Sequence, residues 1–182
     1  MRVLERLSVR LALAVLSGIG VLLAGEVPGS GWFSTYGLPG AVFAAGVLWP
    51  HLRRGNLLVA RAVGLVVVSG VSYWAAISTG IEVAPWLGER SEPRLASYVV
   101  ASLVGAAIVV VFAKWLVPLP TPARYWVLST VAALVGGFVM YFGIPGLPGD
   151  VSDFAAFATW HALLCVALHF GSRASARSSS AR

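Results

Sequence analysis

Between residues 153 and 169 the chain places Asp153, Phe157, His161, Cys165 and His169 four residues apart. On a helix each step of four turns about 40° and rises about 6 Å, so these side chains form one slowly drifting stripe. The stripe lies in an apolar segment, Asp153 to Phe170, whose 18 residues cover about 27 Å as a helix, close to the hydrocarbon thickness of a bilayer. An ionisable residue at that depth is a functional candidate by position alone. Three chemistries are open to His161. It can be a neutral ring that locks neighbouring helices through a hydrogen bond to Ser69, Ser72, Ser102, Ser129, Thr159 or a backbone carbonyl. It can handle protons or a substrate in a wet cavity, since imidazole changes charge near neutral pH. It can ligate a metal or haem. No carboxylate accompanies it at depth, which favours the lock over the proton path. His161 and His169 stand about 12 Å apart along the axis, too far to share one ion. The remaining pairing for a metal is His51 with His169, both near one membrane face. No metal site and no cofactor are therefore expected. Asp153 and Asp150 suit the N-terminus of the same helix through its dipole.

No enzyme motif accompanies the stripe. There is no Gly-x-Ser-x-Gly, no phosphate-binding loop, no His-Glu-x-x-His and no pair of carboxylates within an apolar segment. Cys165 is the single cysteine, so an internal disulfide and Cys-pair redox or metal motifs are excluded. It reads as a small buried apolar group.

The elements that must position the stripe are six apolar segments, about residues 7–27, 38–52, 56–79, 95–116, 125–142 and 153–170. Of the 182 residues 58% are hydrophobic and only 11% charged, with a mean hydropathy of +0.85. Soluble domains carry about 25% charged residues. The expected fold class is all-α: one polytopic bundle of six transmembrane helices filling residues 1–171, followed by a disordered tail at 172–182. The second span is the shortest. The first also resembles a secretory signal peptide, with Arg2, Arg6 and Arg10 before an apolar run, but it is long enough to span. Loops follow the breakers: Glu26 to Gly37, the polar Gly80 to Arg94, Val117 to Arg124 with Pro118, Pro120 and Pro122, and Gly143 to Ser152. Small residues recur four apart at Ala14/Gly18, Ala60/Gly64, Ala101/Gly105, Ala132/Gly136 and Ala133/Gly137, the spacing that lets helices approach closely.

The charges orient the bundle. With the N-terminus inside, the inner segments hold 11 of the 13 basic residues and leave Arg90 and Arg94 outside. That distribution predicts both termini on the cytoplasmic side. It also removes the nucleic-acid reading of the +6 net charge, because the arginines are divided among four segments. Twelve of the basic residues are Arg, which suggests a GC-rich bacterial genome and hence the inner membrane. The expected partner is the lipid bilayer, together with a membrane protein or further copies of the chain. The function expected is that of a non-enzymatic helix-bundle partner, assembly or accessory protein. The alternative is a small transporter or sensor built on His161.

Overall fold

The computed structural model describes residues 59–88, 95–117 and 122–171, and before them 8–9, 11–13, 15–16, 40–45 and 47. The described residues are almost all helical, and no strand occurs among them. Four helices carry the fold: α1 Val59–Val83, α2 Leu95–Leu116, α3 Ala123–Phe142 and α4 Gly149–Gly171. Residues 8–9, 11–13, 15–16, 40–45 and 47 are helical as well. The first two expected spans are thus described only in part. The expected loops at 26–37 and 89–94, the basic residues at 53–54 and the tail at 172–182 lie outside the described residues.

α1, α2 and α3 are each long and apolar enough to cross a membrane. Ala155–Gly171 within α4 is a shorter apolar helix. A helix that is apolar all round has no preferred water-facing side, and a bilayer is the medium that accepts such a surface. α1 shows Val59, Val63 and Val67 on its exterior, and α3 shows Val127, Val131, Phe138 and Phe142. The chain therefore has the surface of a membrane protein.

Consecutive helices pack against one another, α1 on α2, α2 on α3 and α3 on α4. The contacts step in opposite directions along each pair, which makes each pair antiparallel. The Tyr125 hydroxyl, at the start of α3, donates to the Val110 carbonyl at 2.9 Å, near the end of α2. Further along, Ser102 Oγ donates to the Ala133 carbonyl at 2.6 Å. Past that bond Tyr98 meets Tyr141 ring to ring at 5.8 Å. α4 returns along α3 until Gly171 lies against the Tyr125 backbone. α1 and α4 meet through rings, Tyr73 with Phe157 at 5.2 Å. Gly40, Phe43, Ala44 and Val47 are buried. A Cβ at Gly40 would overlap the Ser69–Gly70 backbone of α1, while Phe43 reaches α4.

Helix ends differ from the sequence expectation where a breaker proved compatible with a helix. α1 continues through Gly80, expected to end it, because the bare glycine lets Ala101 of α2 come close: a Cβ there would stand 3.2 Å from the Ala101 Cβ. α4 begins four residues before Asp153. The Pro148 carbonyl accepts the first helical bond, from the Ser152 N–H at 2.7 Å, the role of a cap residue. Ser152 Oγ in turn accepts the Ile144 N–H at 2.7 Å, fixing the turn between α3 and α4.

Candidate functional site

α4 buries Ala156, Trp160, His161, Leu164, Cys165, Leu168 and His169. The expected stripe is thus an inward face over three of its positions, His161, Cys165 and His169, with Phe157 partly buried beside it. The side chain of Asp153 and the whole of His51 lie outside the described residues, and with them the His51–His169 pairing. Among the described residues no group of three His, Cys, Asp or Glu side chains is placed to hold a metal ion.

His161 is enclosed by rings. Phe43 stacks on it with centroids 4.9 Å apart and planes 29° apart. Tyr73 of α1 stands 6.5 Å away, tilted. Trp160, its chain neighbour, lies at 5.1 Å. Offset stacks at such distances contribute about 0.5–1.5 kcal/mol each beyond their buried area. His161 therefore joins the helical residues 40–45, α1 and α4 at one point. Of the five side-chain hydroxyls considered as its partners, three donate to backbone carbonyls. Ser102 bonds the Ala133 carbonyl, Ser72 the Ser69 carbonyl at 3.2 Å, and Thr159 the Ala155 carbonyl at 2.7 Å. The Ser69 and Ser129 hydroxyls are buried without a hydrogen bond.

Trp160 is the residue that sequence reasoning missed. Its indole is buried between two glycines. A Cβ at Gly105 of α2 would stand 3.2 Å from Trp160 Cη2, and one at Gly136 of α3 would overlap Trp160 Cδ1. The signal was present in the small-residue spacing, read there as close helix approach. Gly137 does serve that purpose, since its Cβ would stand 2.7 Å from Val99 Cα. Gly105 and Gly136 instead make room for an aromatic wedge.

Beside this wedge, toward the end of α1 and the start of α2, lies a cavity of about 260 Å³, open on one side. Tyr73 and Ile77 come from α1, Ser97 and Tyr98 from α2, and Phe157 and Trp160 from α4. Trp160 is 3% exposed, and its Nε1 has no hydrogen-bond partner. No carboxylate, imidazole or ammonium lines the cavity among the described residues. Stacking and hydrogen bonding are the chemistry such a lining offers. A second cavity, about 240 Å³, lies between α2 and α3 and includes Val111, Trp126 and Ser129. At the opposite end of the helices Lys114 Nζ sits 5.6 Å from the centre of the Trp126 ring.

Comparison with protein-family models, with curated proteins and with solved structures gave no match to this chain.

Proposed function

We propose that the chain is a six-span protein of the bacterial inner membrane, with both termini cytoplasmic, that acts by binding other membrane segments and not as an enzyme. The observation that carries this reading is the enclosure of His161 by Phe43, Tyr73 and Trp160. A proton or substrate path needs a wet imidazole, whereas this ring is 4% exposed and stacked. The same residue thus joins elements of the bundle, as a partner or assembly protein requires of its core. Support for the orientation comes from one end of the bundle. Arg61, Lys114, Trp115 and Arg124 are exposed there, the basic and aromatic belt expected at a cytoplasmic interface. The apolar faces of α1 and α3 are free to meet lipid or another helix.

The experiment is isolation from native membranes in lipid nanodiscs, with the neighbours identified and the mass measured. A membrane protein in fixed ratio, or a second copy, is the expected companion, and it stays bound when His161 is replaced by Phe. Isolation as a lone monomer, with or without that change, would sink the reading.

A further inference from the structure

We infer that the groove between α2 and α3 seats one acyl chain of an anionic phospholipid, whose phosphate is held by Lys114 at the groove's end. The groove is lined by these two helices alone. Ala106 of α2 and Ala133 of α3 are buried in its floor. Its rims are exposed, with Ala107 and Val111 on the α2 side and Trp126 and Thr130 on the α3 side. Two hydrogen bonds pin the helices together along it. The Tyr125 hydroxyl donates to the Val110 carbonyl at 2.9 Å toward the Lys114 end. Ser102 Oγ donates to the Ala133 carbonyl at 2.6 Å toward the other. The space of about 240 Å³ over the floor is therefore a narrow trough. Another helix, about 10–12 Å across with its side chains, is too wide to enter it, whereas a single hydrocarbon chain fits.

Length and charge select the lipid. From Leu103, at the inner end of the groove, to Lys114 the helix rises about 16 Å. That is about half of a hydrocarbon core about 30 Å thick, so the groove has the depth of one leaflet. Leu103, Ala107, Val111 and Lys114 follow one another at helical spacing along one side of α2. Lys114 is exposed, and its Nζ sits 5.6 Å from the centre of the Trp126 ring on the opposite rim. This cation–π contact draws the ammonium across the end of the groove. An ammonium carries three N–H donors and no acceptor, which suits the oxygens of a phosphate. No carboxylate among the described residues competes for it, because Glu82, Asp150 and Asp153 stand by chain position at the other end of the bundle. Arg124 adds a second exposed cation at the Lys114 end, which favours a lipid with net negative charge.

The full-length protein in mild detergent is titrated with dioleoyl phosphatidylglycerol, with the zwitterionic dioleoyl phosphatidylcholine, and with glycerol phosphate as a headgroup alone. Bound lipids are counted by native mass spectrometry. One phosphatidylglycerol is expected to bind saturably, ahead of later and weaker additions. It binds about fivefold tighter than phosphatidylcholine, the factor contributed by one cation near an anionic headgroup. Lys114→Gln removes this preference and Lys114→Arg keeps it. Arg61→Gln keeps it too, because α1 contributes nothing to the groove. Ala107→Trp fills the groove from an exposed rim and abolishes the tight addition of either lipid, and Thr130→Trp does the same from the opposite rim. Equal affinity for the two lipids overturns the inference. Equal losses in Lys114→Gln and Arg61→Gln also overturn it, since they would mark general attraction to a basic surface. A tight addition that survives both tryptophan variants removes the groove from the account. Displacement of the lipid by glycerol phosphate would mark a phosphate site without an acyl chain, and overturns it as well. These readouts are independent of the number of spans, of orientation and of any protein partner, so their failure leaves the reading of the bundle standing.

Discussion

At the scale of single residues, two side chains on α4 decide how the bundle closes. His161 lies within a cluster formed by Phe43, Tyr73 and Phe157, and its contribution as a ring can be separated from its contribution as a donor. His161→Phe keeps the stack and is expected to stay within about 1.5 kcal/mol of the parent, as volume-conserving changes do. His161→Ala opens a cavity and should cost on the order of 2–5 kcal/mol. Denaturant midpoints in mixed micelles test this. If His161→Asn retains stability that His161→Phe loses, hydrogen bonding and not ring packing is the function of the side chain. Trp160 sets the second test. Gly136→Ala gains about 1 kcal/mol of helix propensity, yet its methyl group would overlap the buried Trp160 indole, which must shift to admit it. Overpacking of that kind costs about 1–3 kcal/mol, so a net loss is expected. Gly149→Ala is the control, because a Cβ there meets nothing within 4 Å. Equal melting of the two variants would show that Trp160 is not wedged between the glycines. The stripe of His161, Cys165 and His169 was legible in the sequence from its spacing alone. The bonds of the nearby hydroxyls were not, because Ser102, Ser72 and Thr159 each donate to a backbone carbonyl, a choice that spacing does not encode.

At the scale of elements, the joint between α3 and α4 is the most constrained connection. Gly143 ends α3 at φ 65° and ψ −166°, a region essentially reserved for glycine. Its N–H caps the helix by donating to the Val139 carbonyl at 2.9 Å, and a Cβ there would collide with Ser152 Oγ. Gly143→Ala is thus both strained and crowded, with an expected cost of about 1–3 kcal/mol, readable as a lowered unfolding midpoint. Pro122 and Pro148 explain why helix starts were harder to read than helix interiors. Each lies immediately before a helix, at Ala123 and Gly149. A proline ends the preceding extended stretch but also suits the first turn, where its missing N–H is not needed. The sequence alone therefore leaves a proline-rich turn ambiguous by a few residues. Interiors carried no such ambiguity: α2 covers Leu95–Leu116, the segment marked out by its largely apolar composition. What apolar composition could not distinguish was which face turns inward. When all sides of a helix are greasy, inward faces are chosen by small and hydroxyl residues, as Ser97, Ser102 and Gly105 do on α2.

At the scale of the whole molecule, the physical question is which solvent the exterior meets. Val59 is 78% exposed and Phe142 67%, at opposite ends of their helices, with apolar side chains between. Contiguous apolar surface of this extent finds no stable arrangement in water, while every backbone group inside a helix is already bonded, as a bilayer demands. Three helices meet the length and composition needed to cross, and the basic residues near the ends of α1, α2 and α3 fall on one side. The proposed orientation rests on the preference of basic segments for the cytoplasmic side. This can be tested with single cysteines in a Cys165→Ala background, since Cys165 is the sole native thiol and is 1% exposed. Leu147→Cys lies in the exposed turn between α3 and α4, and Ser178→Cys in the basic tail. A membrane-impermeant maleimide added to intact spheroplasts is expected to label position 147 and to reach position 178 only after lysis. Labelling of both before lysis would place the tail outside, and the reverse order would invert the bundle. Either result would leave the packing of α1 to α4 untouched while overturning the cytoplasmic assignment of the ends, because helix contacts and leaflet preference arise from separate forces.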